Sequence, residues 1–554
     1  MPRKLKVGFL VDDLIVRSQA VEVIDFLHYH NHLFDTPHIL YGYHKKISKK
    51  SKLRKIIFEF RLFFLIRLVL FNTLLRFIKV VEEKKIAESN PRVQDFSSFY
   101  SAKPLNFIKL DLNISNLKNF LEFSVDDINR IKSLRFDVIV RFGTGILKGD
   151  ILNSAKFGIV SLHLGDNRVN RGGPAGFWEV LKGEPSSGFI VQKLNSELDG
   201  GEVLFRGNIM TASTWTRNYI NLKAKAPYFL CRVLKDIAMN QRLPDTEEIS
   251  LHYEPLLKFD TRLEILIKYM YKIWGGILRY QVKTKVFKQH SDWRIAFSTY
   301  SGLKKSLWRY SEIPNNKNSF FADPFVISHD GISTIFVEEF DKFDKKGSIS
   351  AINITDSKPL FLGRVLEENF HLSFPFVFKH RNNLYMIPET SRANQIRLYV
   401  CTTFPNKWKL LKILVDNINA ADTMIIKKHS KWFLLTNICS AGTGDLNSEL
   451  HIFYADSLFS KKWFPIKSGN PVVVDSLRAR NAGLITNNGN IYRINQIHGM
   501  NHYGKSIGIN RIDILNTQKF QETRIQNVKP NFRTGLKSIH HLNSDEYFSV
   551  IDYY

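Results

Sequence analysis

Short apolar runs alternate with stretches of helical periodicity over the first 240 residues. The apolar runs lie at 5–11, 38–42, 106–110 and 137–142, and the helical stretches at 18–28 and 124–134. Apolar runs of this length are typical of buried strands, and their alternation with helices predicts a doubly wound α/β domain. No G-x-G-x-x-G motif follows the first run, so the dinucleotide-binding fingerprint is missing.

A strongly apolar stretch at 56–81 interrupts this alternation, inside a helical insertion that we expect at about 50–85. Its longest uncharged run, at 68–75, falls far short of the roughly 20 residues that span a bilayer. At about 100° per residue, Arg76 and Lys79 fall on one face of this helix. The pattern favours a helix that packs on the sheet or forms a homodimer interface, and contact with a membrane surface stays an alternative.

From about residue 293 the chain changes to short apolar runs separated by turns, and one unit recurs. The unit begins at 323–327, 374–378, 422–426 and 481–485, and more weakly at 536–540, and a second apolar run follows each time. A period of roughly 50 residues is the size of a four-stranded propeller blade. Five repeats predict an all-β, five-bladed propeller, since a β-sandwich would not explain the regular period.

The chain of 554 residues is too long for one hydrophobic core. We therefore expect an α/β domain at 1–240, a helical connector at 241–290 and the propeller at 291–554. The net charge of +27 favours anionic partners, although a lysine-rich solvated surface explains it equally well.

The three cysteines, Cys231, Cys401 and Cys439, have no metal-site spacing, so we expect neither a metal site nor a disulfide framework. The apolar run at 7–11 is too short for the core of a signal peptide. These features predict a cytoplasmic protein. If the protein contacts the inner face of the membrane, we expect the helix at 56–81 to make that contact.

The segment at 157–205 contains most of the candidate catalytic and binding residues of the first domain. His163 closes a short apolar run, a loop rich in Gly, Asn and Arg follows, and an acidic turn carries Asp199 after a second apolar run. Taken singly, a histidine that closes a buried strand is usually structural, and Asp-Gly-Gly is usually a turn. Two strand ends that present His163 and Asp199 beside a glycine loop are typical of an active site.

Three short motifs follow one another in this segment: Ser161-Leu162-His163, Arg171-Gly172-Gly173-Pro174 and Leu198-Asp199-Gly200-Gly201. They resemble the Asn-x-His, Arg-Gly and Leu-Asp-x-Gly motifs of the folate-dependent formyltransferases, which include methionyl-tRNA and sugar N-formyltransferases. The resemblance covers roughly residues 1–230. An upstream segment looks like the folate-side loop of that family and comprises Phe142, Gly143, Thr144, Gly145, Ile146 and Leu147.

The resemblance implies transfer of a formyl group from 10-formyltetrahydrofolate to a primary amine. It implies catalytic roles for His163, Asp199 and Ser161, and places Asn167, Arg171, Gly172 and Gly173 on the acceptor side. Ser161 stands where the family has Asn, and a hydroxyl offers one donor where an amide offers two. Either a water or Asn167 supplies the missing donor, or the domain is an N-acyl hydrolase.

The small C-terminal barrel of the tRNA-directed members does not recur in this sequence, so we expect no nucleic-acid partner. We expect instead a nucleotide-linked or lipid-linked amino sugar, or a glycan, in surface-polysaccharide biosynthesis.

The repeat of the second half places four carboxylates near the propeller axis: Asp323, Glu339, Glu389 and Asp422. This layout resembles the five-bladed glycosidases of the arabinanase and invertase kind, and the N-terminal module of the glucosamine inositolphosphorylceramide transferases. Paired carboxylates serve as general acid and base on a glycosidic bond, or bind sugar hydroxyls. We favour glycan binding, because sequence does not give the carboxylate separation. The remaining alternative is a glycan-binding or glycosyl-processing propeller protein whose first domain is degenerate.

Overall fold

In this computed structural model the chain divides into two compact units, Met1–Tyr280 and Gln281–Tyr554. The structure describes residues 3–12, 15–16, 18–42, 62–84, 94–95, 105–110, 112–114, 120–143, 145–170, 172–197, 200–247, 257, 259, 262–286, 292–300, 302–303, 306–355 and 358–554.

A seven-stranded sheet forms the centre of the first unit. From one edge to the other the strands are Glu202–Met210, Ser186–Lys193, Ile159–His163, Val138–Phe142, Val7–Val11, His38–Gly42 and Asn106–Leu110. The last five strands are parallel to one another, and the first two are antiparallel additions at one edge. All five residues of Val7–Val11 are buried, as expected for a parallel strand that is covered on both faces. The predicted α/β class is confirmed.

Helices cover both faces of this sheet. On one face Ser18–Tyr29 and Trp215–Asn240 pack against side chains such as Phe9. On the other face Val125–Ser133 packs in the cluster that contains Leu10, because successive strand side chains point to opposite faces. The smaller elements of the unit are Ile15–Val16, Gln94–Asp95, Leu112–Ile114, Phe120–Phe123, Ile146–Leu147, Asp150–Asn153 and Phe177–Lys182.

The predicted insertion contains the helix Leu62–Glu83, which packs against Trp215–Asn240 and Leu263–Tyr269. The latter continues through Met270–Trp274 into Gly275–Gln281 and Val282–Val286. The buried Glu82 carboxylate accepts hydrogen bonds from the Thr216 backbone N–H (2.9 Å), the Tyr269 hydroxyl (2.7 Å) and the Trp274 indole (3.0 Å). Glu82 thereby caps the N-terminus of the helix Trp215–Asn240, where the helix dipole is positive. Among the described helices, none combines the length and the hydropathy that crossing a membrane requires.

Five antiparallel sheets, four of four strands and one of five, form the second unit and confirm the five-bladed propeller. Blade 1 is Ser319–His329, Ile332–Asp341, Lys346–Thr355 and Lys358–Leu366; blade 2 is Ser373–His380, Asn383–Glu389, Gln395–Thr403 and Lys407–Asp416; blade 3 is Ala420–Lys428, Lys431–Ile438, Glu449–Ala455 and Phe464–Pro465, with Val473–Val474 beside its third strand. Blade 4 is Asn481–Asn487, Asn490–Gly499, His502–Leu515 and Phe520–Val528; blade 5 is Ile539–Ser544, Ser549–Tyr553, Arg294–Ser298 and Ser311–Ile313.

Blade 5 joins the two ends of the unit, because Arg294–Ser298 pairs with Ser549–Tyr553. Strands from the beginning and the end of the unit thus complete one blade, which closes the ring of blades.

We predict that Glu82→Ala lowers the free energy of unfolding of the first unit by about 2–4 kcal/mol, because three buried donors lose their acceptor. Chemical denaturation followed by tryptophan fluorescence measures this. The exposed neighbour offers the matched control, and Glu83→Ala should leave the stability within about 0.5 kcal/mol of the wild type. Equal effects of the two substitutions would contradict the capping role.

Candidate functional site

His163 lies at the carboxyl end of the parallel strand Ile159–His163, the edge at which open α/β sheets bind ligands. Ser161 lies two residues earlier and therefore shares the face of the sheet with His163. Its neighbours across the sheet are Arg141 on one side and Gln192 on the other. His163 thus ends a buried strand, and the catalytic roles of His163 and Ser161 stay predictions.

Arg141 is a buried cation on the same face of the sheet, and sequence reasoning missed it as a site residue. Its guanidinium pairs with the Asp12 carboxylate (2.5 Å) and donates to the Leu10 carbonyl (3.3 Å). A Cβ atom at Gly143 would lie 2.2 Å from that guanidinium, so a larger residue there would displace the Arg141 side chain. The signal in the sequence was a single arginine inside the apolar run at 137–142.

The predicted folate-side loop thus begins against a buried positive charge. Phe142 ends the strand and stacks on Phe9, with ring centroids 6.3 Å apart. Gly145 is described, and Ile146–Leu147 pairs with Phe120–Phe123, whereas Thr144 lies outside the described residues. The assignment of this loop to folate stays a prediction.

The loop after His163 is fixed by ion pairs of Asp166. This buried carboxylate accepts from Arg168 Nη2 (2.9 Å) and pairs with Arg206, whose guanidinium also binds both oxygens of Glu247 (2.7 Å each). Burial acts to raise the pKa of Asp166, but the contacts with Arg168 and Arg206 outweigh it and hold that pKa below its usual value. Asp166 therefore stays ionised and ties the loop to the strand Glu202–Met210.

Asn167 carries a buried donor without a partner. Its side chain is 2% exposed, and its Oδ1 accepts from Arg206 Nη2 at 3.0 Å, which fixes the orientation of the amide. The Asn167 Nδ2 has no hydrogen-bond partner among the residues that the structure describes. A buried unpaired donor is unfavourable by about 1–3 kcal/mol, so this amide is a candidate ligand contact.

The other predicted residues of this site are only partly described. Arg171 and Asp199 lie outside the described residues, so the pairing of His163 with Asp199 stays a prediction. Gly172 has a left-handed backbone (φ 109°), and a Cβ there would lie 2.1 Å from the Leu257 carbonyl oxygen. The Gly173 carbonyl accepts from the Trp178 indole at 3.1 Å.

The five inner strands of the propeller share one irregularity. Each carries a bulge at an equivalent position, and the first residue that the bulge leaves out of register is, in the order of the blades, Asp323, Phe374, Asp422, Ala482 and His540. Bulges re-aim side chains, and here three of the five carry ionisable groups. The sequence repeat aligned Leu536 with the first residue of the unit in the fifth blade. The structure places His540, four residues later, at the bulge position instead.

His540 lies between two carboxylates. Its Nδ1 is 2.7 Å from Asp552 Oδ1, its Nε2 is 3.3 Å from Asp323 Oδ1, and its ring stacks on Trp293 at 3.8 Å. Burial acts to lower the pKa of His540, but Asp552 and Asp323 outweigh it and raise that pKa above its usual value. Burial raises the pKa of Asp323 to about 6 against the opposing charge of His540. One ligand atom from each of these three residues lies within 4.8 Å of the others, close enough to share a cation.

Arg480 is the second cation of this cluster. Its guanidinium pairs with the Asp422 carboxylate (Nη2 to Oδ1, 3.1 Å) and approaches Glu389 Oε2 at 3.4 Å. Gln496 Nε2 also donates to Asp422, at 3.2 Å. The Arg480 guanidinium lies 5.9 Å from the ring centre of Tyr503.

Glu338, and not the predicted Glu339, joins these carboxylates. Strand side chains alternate in direction, and Glu339 is held within blade 1 by the hydroxyls of Ser319 (2.8 Å) and Ser350 (2.5 Å). Burial, followed by the charges of Asp323 and the other carboxylates, raises the pKa of Glu338 well above its usual value.

The cluster therefore contains more acid than base. Its carboxylates belong to Asp323, Glu338, Glu389, Asp422 and Asp552, and its cations are Arg480 and His540. Burial also raises the pKa of Asp422 well above its usual value, although Arg480 opposes that shift. Such a site holds protons or accepts a cation.

Residues 308–552 match the family model described as "Glucosamine inositolphosphorylceramide transferase 1, N-terminal". Glucosamine inositolphosphorylceramide transferase 1 of Arabidopsis thaliana is 31% identical over 257 residues, which cover 44% of this chain and 33% of that protein. The protein of the same name from Oryza sativa subsp. japonica is 32% identical over 213 residues, covering 38% of this chain and 28% of its own length. The chain thus spans about a third or less of these plant relatives.

Methionyl-tRNA formyltransferase of Clostridioides difficile (strain 630) is 21% identical over 275 residues, covering 48% of this chain and 82% of that protein. Among solved structures, glycinamide ribonucleotide transformylase 1 from Symbiobacterium toebii aligns with 10% identity and a TM-score of 0.28, covering 44% of this chain and 95% of its own. The catalytic domain of an α-L-arabinofuranosidase from Coprinopsis cinerea aligns with 12% identity and a TM-score of 0.33, covering 48% and 98%.

Both resemblances that the sequence suggested are confirmed. The first region is formyltransferase-like, and the second is a five-bladed propeller that matches the N-terminal module of the plant enzymes. The relatives of both regions are named transferases.

The raised pKa of Asp323 predicts a pH effect on the stability of the propeller. The folded state holds this proton more tightly than the unfolded chain, so the contribution to stability is lost as the pH rises from about 4 to about 6. Asp323→Asn should flatten the pH profile in that window, measured by thermal unfolding in steps of half a pH unit. The 84% exposed Asp330 supplies the control, and Asp330→Asn should keep the wild-type slope. An unchanged slope in Asp323→Asn would refute the assignment.

Proposed function

We propose that the first unit transfers a formyl group from 10-formyltetrahydrofolate to the amine of an amino sugar. The observation that supports the proposal is the position of His163 at the carboxyl end of a central parallel strand, together with the buried Asn167 in the loop that follows, whose Nδ2 has no hydrogen-bond partner among the described residues. Formyl transfer develops negative charge on the formyl oxygen, and donors fixed in advance stabilise such a charge.

In this reaction the amine nitrogen forms a bond to the formyl carbon, the bond from that carbon to the folate nitrogen breaks, and one amine proton passes to the leaving nitrogen. The His163 imidazole stabilises the oxyanion and moves the proton. Asn167 Nδ2 supplies the donor that the family takes from the Asn replaced here by Ser161. Asp199 orients His163 and promotes loss of the amine proton, as the formyltransferase resemblance implies.

The two sets of relatives together support the choice of an amino sugar as the acceptor. Formyl transfer is in the name of the relatives of the first region, and glucosamine is in the name of the relatives of the propeller. A chain that joins both regions has an amino sugar as its simplest common substrate, linked to a nucleotide or a lipid. We place this activity in the cytoplasmic assembly of a surface polysaccharide.

We predict that His163→Ala lowers kcat/KM for formyl transfer at least about 100-fold, since it removes both the oxyanion contact and the proton carrier. Mass spectrometry of a panel of nucleotide-linked and lipid-linked amino sugars, with and without the folate donor, measures the product. The exposed His32 offers the control, and His32→Ala should keep full activity.

Ser161→Asn provides a gain-of-function test in the same assay, because it returns the donor typical of the family and should raise the rate. Wild-type protein that is inert towards the whole panel would refute formyl transfer. Release of formate without an amine would instead support the N-acyl or formyl hydrolase, which uses water as the nucleophile.

A second candidate function belongs to the propeller: binding of a sugar that carries a free ammonium group. The observation that favours it is the excess of buried carboxylates over cations around Asp323 and Asp422, in a chain whose net charge is +27. A cluster that is short of positive charge binds an ammonium group more strongly than the neutral amide of an acylated sugar.

We predict that Glu389→Gln weakens binding of a glucosamine oligosaccharide by about tenfold, because one carboxylate that faces the ammonium loses its charge. Calorimetry on the full chain in the His163→Ala background separates this site from the first one. Glu367→Gln, at an exposed carboxylate, is the control. Equal affinity for the glucosamine oligosaccharide and for its N-acetylated form would refute the selection of an ammonium group.

A further inference from the structure

The helix Leu62–Glu83 has two apolar faces, and among its described side chains those of one face are buried whereas those of the other are exposed. Phe71 and Ile78 are buried against the first unit. On the outer side an apolar stripe recurs at helical spacing and is about half exposed or more; it comprises Ile66, Val69, Leu70, Phe77 and Val80. A helix that is apolar on both sides normally has something against each side.

The neighbouring helical segment extends this exposed apolar surface. The Arg67 guanidinium pairs with Glu264 at 3.1 Å, and the Phe77 ring lies 5.9 Å from that of Trp274, so the two segments lie side by side. The second segment exposes Ile267, Tyr271 and Leu278, with 59%, 73% and 62% of their surfaces accessible. Both helices therefore present large apolar side chains to solvent.

Basic side chains accompany these apolar ones. The exposed basic residues include Arg76 and Lys79 on Leu62–Glu83, Lys84 directly after it, and Lys268 and Arg279 on the second segment, residues 263–281, and the exposed acidic ones include Glu83 and Glu264. Lys272 is exposed as well, but its Nζ donates to the carbonyls of Leu181 (2.7 Å) and Lys182 (3.0 Å). Of the two acids, Glu264 is already paired with Arg67. The Arg279 guanidinium lies 5.9 Å from the Tyr271 ring, which combines a cation and an aromatic ring in one exposed pair.

We propose that this surface, the apolar stripe together with Ile267, Tyr271 and Leu278, binds the face of an anionic lipid bilayer. Apolar side chains flanked by lysine, arginine and tyrosine are the composition of helices that lie in the interface plane. Anionic headgroups complement the basic residues, each of which contributes to attraction near the surface. The helices lie on the bilayer and do not cross it.

The charge argues against a second copy as the occupant. A twofold interface would bring this basic patch against itself, in a chain whose net charge is already +27. Like charges that face each other across an interface are unfavourable, whereas an anionic bilayer removes that repulsion. An acidic protein with an apolar face would also complement this surface, and wild-type protein that does not bind anionic vesicles would favour that occupant over a bilayer.

The test is co-sedimentation of the full chain with vesicles of phosphatidylcholine, alone or with phosphatidylglycerol. We expect binding to the anionic vesicles, weakened by salt, and little binding to the neutral ones. The variant Leu70→Glu/Phe77→Glu should reduce binding about tenfold or more, because it removes two apolar contacts and adds two negative charges at the surface. Both side chains are about half exposed, so folding should persist, and circular dichroism checks this.

The matched control is Leu411→Glu/Ile525→Glu, which makes the same change in composition and net charge at exposed apolar sites of the propeller, 47% and 52% accessible. It should bind vesicles like the wild type. The proposal is overturned if both double variants lose vesicle binding equally, or if the wild-type protein does not bind anionic vesicles. A dimer in solution that Leu70→Glu/Phe77→Glu dissociates, without vesicle binding, would assign the surface to a second copy instead.

A second variant, Arg76→Ser/Lys268→Ser, tests the electrostatic part alone. It should weaken binding to anionic vesicles and flatten the salt dependence while the apolar stripe stays intact. An unchanged salt dependence would mean that the basic residues of this surface do not face the lipid.

Discussion

Charge that is buried away from water has to be paired, and this constraint organises both units of the protein. In the first unit, Arg141 pairs with Asp12 and Arg206 pairs with Asp166. In the second, Arg480 pairs with Asp422, and His540 pairs with Asp552. Most of these partners are far apart in sequence, so each pair holds together strands or loops that only the fold brings into contact.

The imbalance that remains in these networks differs between the two units: a hydrogen-bond donor without a partner among the described residues in the first, and an excess of carboxylates over cations in the second. In the first, the ion pair of Arg206 with Asp166 and its bond to Asn167 orient an amide whose N–H group lacks an acceptor. That arrangement suits a substrate that develops negative charge. In the propeller, carboxylates outnumber cations around Asp422, which suits a substrate that brings positive charge.

Irregular backbone at the bulges of the inner strands positions the ionisable side chains of the propeller. Asp323, Phe374 and Asp422 have positive φ angles of 50°, 46° and 45°, a conformation that is unfavourable for residues with a side chain. The regular strands on either side hold these residues in place and direct them at the bulge. Conformations of this kind persist where the surrounding structure over-determines them, and they gather at binding sites. A regular inner strand would have pointed Asp323 and Asp422 elsewhere.

The sequence alone determined the architecture and part of the site. Apolar runs predicted the strands, the period of the second half predicted five blades, and the motif around His163 predicted a strand-end histidine with Asn167 in the following loop. These features are local, because strand formation and repeat spacing depend on residues near one another in the chain. The same local pattern identified Asp323, Glu389 and Asp422 as candidates, although it did not show what they contact.

Tertiary structure alone decided which charges meet. It placed Arg141 beside Ser161, exchanged Glu339 for Glu338, and brought His540 to Asp323 across more than 200 intervening residues. It also showed that Leu62–Glu83 buries one apolar face and exposes another, which composition does not distinguish. The physical reason is that pairing, burial and strand direction depend on contacts distant in sequence, and one residue of register turns a side chain to the other face of a sheet.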